Sequence, residues 1–574
     1  MIDFELILRE KIPTFFEKYP KFISNLVVKI VKKLFYQDEI NDFLQNHSAL
    51  KNVEFIDATL KYFKFTYKID NASLENIPQS GRVIFIANHP LGALDALSLL
   101  NLIGKIRSDV KIIANEFLME IKPLNQMFIP VDNISNHSSK STLSTIDAHL
   151  KNEGAIIIFP AGEVSRARGL AIKDVKWKSG FLRFAKKSQA PIVPIFIRGR
   201  NSPLFYAVSM IYKPLAGLLL GHELFNKQNR SISIKIGEMI PCQNLIMPEI
   251  TSKNNTLKLI QKHLYNIGKG KKAIFKTQQC LIKKINPNDV NDEVLTGLKL
   301  GKTRDNKAIF LCQTKPNSPL LLEIGRLREL TFRRVGEGTG KSCDIDEFDL
   351  YYKHLVLFDE VEKEIVGAYR LGESSAIKPT YDTQKLYTQT LFEFDKNAKP
   401  LFENSIELGR SFVQPKFWGT RALDYLWYGI GAYVRKFPQT RYLFGPVSIS
   451  GAYPKTAHDM MVFFYKKYFS APQIMVTSKH RYFIGHNEFK ELNELFVGQN
   501  YEEDFKILKE SLGHYNLSVP TLYKQYSELC DDNGVLFLDF GTDVDFENCT
   551  DGFILVDITK IKEAKRKRYI QSED

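Results

Sequence analysis

Between Cys242 and about Leu300 the chain loses the dense apolar patterning that flanks it on both sides. A helix-like TLKLIQKHLYNIG gives way to the basic GKGKKAIFK and then to the polar INPNDVNDEV. Stretches of this kind are where few contacts cross from one core to the next. The interval is therefore the predicted junction of two large domains, 1–245 and 301–574, with 246–300 as a linker region. The length of 574 residues demands such a division, because one hydrophobic core stops growing at about 250–300 residues. Apolar residues at 44%, with 41 Phe and 25 Tyr, supply both cores and exclude a mostly disordered chain.

Lys and Arg number 79 against 65 Asp and Glu, a balance of +14 that suits an anionic partner. Nucleic acid, an acidic carrier protein, a phosphorylated cofactor and an anionic bilayer all fit that charge. No zinc-finger or RNA-binding signature and no dominant Arg stripe supports nucleic acid, and KEAKRKR at 562–568 reads as a solvated terminus. Six scattered Cys without a CxxC pair indicate neither a disulfide scaffold nor a zinc site. The absence of GKS/T spacing gives no phosphate loop. No metal and no cofactor is expected.

The opening MIDFELILREKIPTFFEKYPKF lacks the apolar core and cleavage site of a secretion signal. No run reaches the roughly 18–20 apolar residues of a spanning helix. FISNLVVKIVKKLF, 22–35, makes an amphipathic basic helix. Such a helix can lie on an anionic surface, and it reads equally well as cover for its own core. Residues Leu204 to Leu224 are apolar but split by Lys213 and Pro214, which predicts two short helices or a re-entrant hairpin. The expected location is cytoplasmic, peripheral to the inner membrane.

From Gly81 onward strands and helices alternate: RVIFIANHP, DALSLLNLI, VKIIANEF, AIIIFP, GFLRFAKKSQ, APIVPIFIRG. The predicted class is α/β, with polar residues clustered just after strands, where the loops of a mostly parallel sheet carry chemistry. NHPLGALD (Asn88 to Asp95), FPAGEVSR (Phe159 to Arg166) and VPIFIRG follow in order, and residues 81–200 so resemble the glycerolipid, or lysophospholipid, acyltransferase family. The resemblance implies transfer of an acyl group from a thioester to a lipid hydroxyl, with His89 as general base and Asp95 orienting it. Imidazole has a pKa near working pH and can take the proton of an attacking hydroxyl, while a carboxylate on its other nitrogen fixes the tautomer.

Gly92 and Gly162 are candidates for the oxyanion site or for turns, and Asn88, Glu163 and Arg166 for substrate contacts. The family separates its His and Asp by four residues, and this chain by five, PLGAL, with Gly92 available to absorb the extra one. Where the family places a phosphate-binding arginine this chain has Val164, leaving Arg166 or Arg168 to substitute. The preferred acceptor is a hydroxyl lipid without phosphate.

The second half carries RELTF, DEFD, IVGAYRL, ELGRSFV, LYKQY and GVLFLDFGTDVDF. In that order they resemble the ornithine-lipid N-acyltransferase family, once called hemolysin-like, with a GNAT-like α/β fold similar to acyl-homoserine-lactone synthases. The resemblance puts Arg328, Asp346, Asp349, Arg370, Glu407 and Arg410 at the polar positions of the site. An amine must be neutral to attack a thioester, so a base is needed, and Glu407 is assigned that role. Arg410 is assigned the acceptor carboxylate, and Asp346 and Asp349 either hold the ammonium or form a network with Arg328 and Arg370.

The two halves together imply an aminolipid synthase. The C-terminal module would acylate ornithine or glycine with a 3-hydroxyacyl group from acyl carrier protein or CoA. The N-terminal module would then esterify the new 3-hydroxyl. Membrane lipids and acyl carrier protein are the expected partners. A lysophospholipid acyltransferase with a non-catalytic C-terminal half, and a membrane-binding scaffold or hemolysin-like protein, are the alternatives.

Overall fold

The computed structural model describes residues 3–11, 13–131, 140–168, 171–211, 213–245, 253–375 and 385–571. The chain divides into two compact units, Met1–Cys280 and Leu281–Asp574.

The first unit is built on strands β1 (Thr66–Lys68), β2 (Val83–Ala87), β3 (Val110–Asn115), β4 (Phe128–Val131), β5 (Ala155–Ile158), β8 (Ile192–Arg198) and β9 (Ser231–Ile236), with a small hairpin of β6 (Arg166–Arg168) and β7 (Ala171–Lys173). The main sheet runs β1-β9-β8-β2-β5-β3-β4, parallel except where β8 meets β9. Both central strands, VIFIA and AIII, are buried at every position, as strands of a sheet covered on both faces must be.

Successive side chains of β2 go to opposite layers. Val83, Phe85 and Ala87 pack with Phe55, Ile56, Leu99 and Leu100, from helices Asn52–Tyr62 and Ala93–Gly104. Ile84 and Ile86 pack with Leu150, Phe181 and Ile260 on the other side. Helix Lys253–Gly268, which supplies Leu257, Ile260 and Leu264 to that second layer, comes from the interval expected to join the domains. The later part of the interval, helix Pro287–Val294, gives Val290 and Val294 to a core of the second unit.

The apolar stretch after Leu204 forms two helices, Pro203–Ile211 and Lys213–Phe225, that pack together. The helix Lys21–Leu34 packs on the second of them, with Tyr36 stacked on Phe225 at 4.0 Å. Packing divides the apolar stripe of that amphipathic helix. Val28 and Val31 are buried, whereas Phe22, Leu26 and Ile30 are 72%, 57% and 54% exposed. No helix among the described residues is long and apolar enough to cross a membrane.

The second unit contains β10 (Leu298–Lys302), β11 (Ala308–Gln313), β12 (Lys353–Asp359), β13 (Glu364–Glu373), β14 (Phe392–Phe394), β15 (Ser405–Val413), β16 (Tyr442–Ile449), β17 (Val476–Ser478), β18 (Val535–Asp543) and β19 (Cys549–Asp557). Eight of these form one sheet, β10-β11-β12-β13-β15-β16-β19-β18, antiparallel except between β15 and β16. Helix Pro319–Val335 lies on one face. Ser318 caps its start, Pro319 occupies the first turn, and Gly336 at φ 78° ends it, the ordinary signals for both helix ends. Helices Ala422–Lys436 and Lys455–Phe469 fill the other face with Leu426, Ile430, Met461 and Phe464.

The parallel pair is short. Residues 405–407 match 442–444, and no further pairing of β15 with β16 follows. Gly445 sits at the fork, where a Cβ would come 2.1 Å from the Leu408 carbonyl oxygen. Beyond it Arg410 adopts φ 49°, next to a register shift between β13 and β15. A strand pair that opens in this way leaves backbone groups and side chains facing a notch.

Candidate active sites

In the first unit, His89 leaves the end of β2, and Asp95 lies in the first turn of helix Ala93–Gly104. His89 Nδ1 is 3.2 Å from Asp95 Oδ2, so the contact expected across the five-residue spacer is present. Gly92 takes up the extra residue at φ 107°, a conformation that an L side chain rarely adopts. Asp95 is fully buried and also accepts hydrogen bonds from the N–H groups of Leu91, at 2.8 Å, and Ala96, at 2.9 Å. The carboxylate is thereby locked toward the ring. Phe159 stacks on the imidazole at 3.9 Å. Burial alone would lower the His89 pKa, but the charge and hydrogen bond of Asp95, together with the charge of Asp174, hold it above its ordinary value.

Asp174 was not singled out from the sequence, and the structure places it behind the pair. Its Oδ1 accepts from the His89 backbone N–H at 3.3 Å and from Ser165 Oγ at 2.5 Å, and its Oδ2 from Trp177 Nε1 at 3.0 Å. Ser165 N–H in turn donates to the His89 carbonyl at 2.7 Å. The available signal was its isolation, as the lone acid in the basic run from Arg166 to Lys187.

Asn88 is a strut. Its amide donates to the Ile197 carbonyl at 2.9 Å and accepts from the Ile197 N–H at 2.7 Å, tying the end of β2 to β8. Gly162 is a turn residue, at φ 68° with its N–H committed to the Phe159 carbonyl at 3.0 Å. Gly92 begins a helix, where the first N–H groups lack intrahelical partners. Glu163 and Arg166 pair with each other at 3.1 Å, and Arg166 also donates to Ser209 Oγ on helix Pro203–Ile211. The Arg168 side chain lies outside the described residues. Val164 is buried with Phe205 and Tyr206, beside Ile172, Val208, Leu219 and Leu220. Apolar surroundings thus replace the expected guanidinium and border the loop that carries His89.

In the second unit, five of the six predicted residues form one buried ionic network. Arg328 Nη2 lies 2.5 Å from Asp349 Oδ1, and both are essentially without exposure. Arg370 Nη1 reaches Asp346 and, at 3.3 Å, Asp349. Arg410 lies 3.4 Å from Asp346 Oδ2 and 3.5 Å from Asp344 Oδ2. Asp346 and Asp349 form a reciprocal capping box at the start of the turn Glu347–Leu350. Burial opposes the charge on Asp349, but Arg328 and Arg370 outweigh it and hold the group far below the usual carboxylate range. Of the two readings left open for this acidic pair, the structure favours the network.

Glu407 stands apart from the network and is 1% exposed. Its carboxylate accepts from the Tyr387 N–H at 3.0 Å, the Thr388 N–H at 2.7 Å and the Tyr352 hydroxyl. Burial raises its pKa against these donors. Three donors on a sealed carboxylate make it a support for the 387–388 backbone rather than a group open to an acceptor.

Comparisons with known proteins match both parts of the chain to acyl-transferring families. A family model described as acyltransferase matches residues 6–273, and one described as acetyltransferase (GNAT) domain matches residues 327–428. A lyso-glycine lipid O-acyltransferase of Phocaeicola vulgatus is 33% identical over 250 residues, 42% of this chain and 87% of that protein. A glycine N(alpha)-acyltransferase of Bacteroides thetaiotaomicron is 33% identical over 308 residues, 51% of this chain and 90% of that protein. An L-ornithine N(alpha)-acyltransferase of Brucella abortus is 31% identical over 159 residues, 24% of this chain and 52% of that protein. These matches tell against a scaffold without activity. The chain belongs to the aminolipid-related acyltransferases, as a bifunctional enzyme that joins a glycerolipid-type acyltransferase domain to a C-terminal GNAT domain.

Proposed function

We propose that the second unit transfers a 3-hydroxyacyl group from a thioester to the amine of glycine and that the first unit then esterifies the 3-hydroxyl so introduced. The order is chemical: the second acceptor oxygen arrives with the first acyl chain. The observation that carries the reading is the pairing of His89 with Asp95 at 3.2 Å beside an apolar cluster at Val164, a hydroxyl-activating dyad without the guanidinium that a phosphate acceptor would need. His89 takes the hydroxyl proton, Asp95 holds the ring and stabilises the imidazolium, and Asp174 fixes the loop behind it.

Glycine is preferred over ornithine because the glycine-specific relatives are matched over 85% and 90% of their length, and the ornithine-specific ones over 51% and 52%. Acyl carrier protein is the proposed donor, its acidic surface matching the +14 balance. The exposed Phe22, Leu26 and Ile30 would rest the first unit on the cytoplasmic face of a membrane. Incubation of the purified chain with 3-hydroxyacyl carrier protein and either glycine or ornithine, followed by mass analysis, tests the assignment. N-(3-hydroxyacyl)glycine and its O-acylated derivative are expected. A product formed only from ornithine would overturn the choice of acceptor, and no N-acyl product from either would overturn the function.

A further inference from the structure

The C-terminal segment GVLFLDFGTDVDF and the strand after it carry three buried carboxyl groups that the network above does not use; Asp539 pairs with Lys466 and Arg481, which leaves Asp543 and Asp551. Asp551, 4% exposed, stands on β19 opposite Ser448 of β16 and Gly541 of β18. Its Oδ1 accepts from Ser448 Oγ at 2.6 Å and lies 3.6 Å from Cys549 Sγ. Asp543, at the end of β18, is opposite Cys549. Phe546, in the turn between these strands, packs on the Arg410 guanidinium at 4.8 Å. Glu337 joins from the end of helix Pro319–Val335, which Ser450 Oγ fastens at 2.6 Å to the Val335 carbonyl. Among the described residues no Lys or Arg forms an ion pair with Glu337, Asp543 or Asp551. Burial, reinforced by Asp543, pushes Asp551 up to about 7, and burial with the charge of Asp551 pushes Glu337 up to about 8. Carboxyls held in this way are short of a cation.

A second observation supplies the opposite charge. Arg370 is 1% exposed, yet its Nε and Nη2 have no hydrogen-bond partner among the described residues. A buried guanidinium edge left unpaired is costly unless an anion completes it. Arg370 and Arg410 lie 5.2 and 4.9 Å from the Tyr387 ring, and the Tyr387 phenol lies in the field of Arg370, Arg410, Asp543 and Asp551 together. Arg410 also reaches the Tyr387 hydroxyl at 3.4 Å, and Phe546, from the turn between the strands that carry Asp543 and Asp551, packs on the same guanidinium.

We propose that this place binds the zwitterion of the amino-acid acceptor, with Arg370 and Arg410 on its carboxylate and Asp551 on its ammonium, and that Asp551 takes the proton that must leave before nitrogen attacks. The inference rests on the N-acylation proposed above and moves the role of base from Glu407 to Asp551. The nitrogen lone pair forms the bond to the thioester carbonyl carbon and the C–S bond breaks. Of the three ammonium hydrogens, one stays on the amide nitrogen, one goes to the departing thiolate, and one passes through Asp551 to solvent. Atoms and charge balance without a further reactant.

The test uses the full chain. Calorimetric titration with glycine in the absence of donor, and N-acylation at varied glycine, are measured for wild type, Asp551→Asn and Ser448→Ala. Asp551→Asn is expected to abolish measurable glycine binding and raise KM for glycine at least tenfold, with KM for the acyl carrier protein donor changed less than twofold. Ser448→Ala removes a hydrogen bond that favours the charged carboxylate and should move the rising limb of kcat/KM for glycine to higher pH. The groups facing Asp551 in that titration are Asp543, Glu337, Cys549, Arg410, Tyr387 and Tyr523. Wild-type glycine binding and KM in Asp551→Asn would overturn the proposal. Should that variant lose its cooperative melt, an unshifted pH profile in Ser448→Ala would overturn it instead. Glycine binding that depends on Asp551 in a wild type without N-acyl turnover would keep the binding site and reject the acylation reading.

Discussion

At the residue scale the two sites differ in how their charges are held. His89 is tuned upward by Asp95 and Asp174, and the form that acts as base is the unprotonated one. O-acylation should therefore rise with pH along a limb displaced above the ordinary imidazole value. Asp95→Asn removes the charge that favours imidazolium, so the limb should move to lower pH while the maximal rate falls by about 100-fold or more, the usual scale of a general-base contribution. A pH–rate profile of the single variant checks both directions. Glu407 invites a different comparison. Glu407→Ala would strand the Tyr387 and Thr388 N–H groups and the Tyr352 hydroxyl, at about 1–3 kcal/mol for each unsatisfied buried group. It should lower the melting temperature together with N-acylation, whereas Glu407→Gln, which keeps an acceptor oxygen, should retain much of both. Equal loss of activity in the two variants at unchanged melting temperature would restore the catalytic role to Glu407. His89 and Asp95 were legible because one turn of chain separates them. Asp174 and Asp551 were not, because each reaches its site from a distant loop or strand that no local spacing encodes.

At the scale of elements, the buried runs VIFIA and AIII were readable because their patterns are complete within a few residues. Helix Lys253–Gly268 read as part of a junction because its apolar positions are sparse. Its place in the core follows from Leu257, Ile260 and Leu264 falling on one side. The β15–β16 fork had no signature beyond ELGRSFV and the glycine at 445. For the helix Lys21–Leu34, periodicity alone left surface and core equally open, and packing divided its stripe between them. Replacing Phe22, Leu26 and Ile30 with Ser should leave the melt unchanged, since these side chains are exposed. The same change should reduce flotation with anionic vesicles several-fold at high salt, where the apolar component dominates. Neutralising Lys29 and Lys33 should weaken binding chiefly at low salt, each near an anionic leaflet being worth about 1 kcal/mol. Unchanged flotation of the triple Ser variant would return this helix to a purely internal role.

At the scale of the whole molecule, each unit has its own sheet and its own cores, and each matches relatives of a single activity over most of their length. The two reactions should then be separable by single substitutions, with the intermediate identifying the order. The most direct test is His89→Ala in the full chain, supplied with glycine and 3-hydroxyacyl carrier protein and followed by mass analysis over time. The account predicts that N-(3-hydroxyacyl)glycine forms at the wild-type rate and accumulates without its O-acylated product. Diacylated product at the wild-type rate, or loss of the N-acyl intermediate as well, would contradict it.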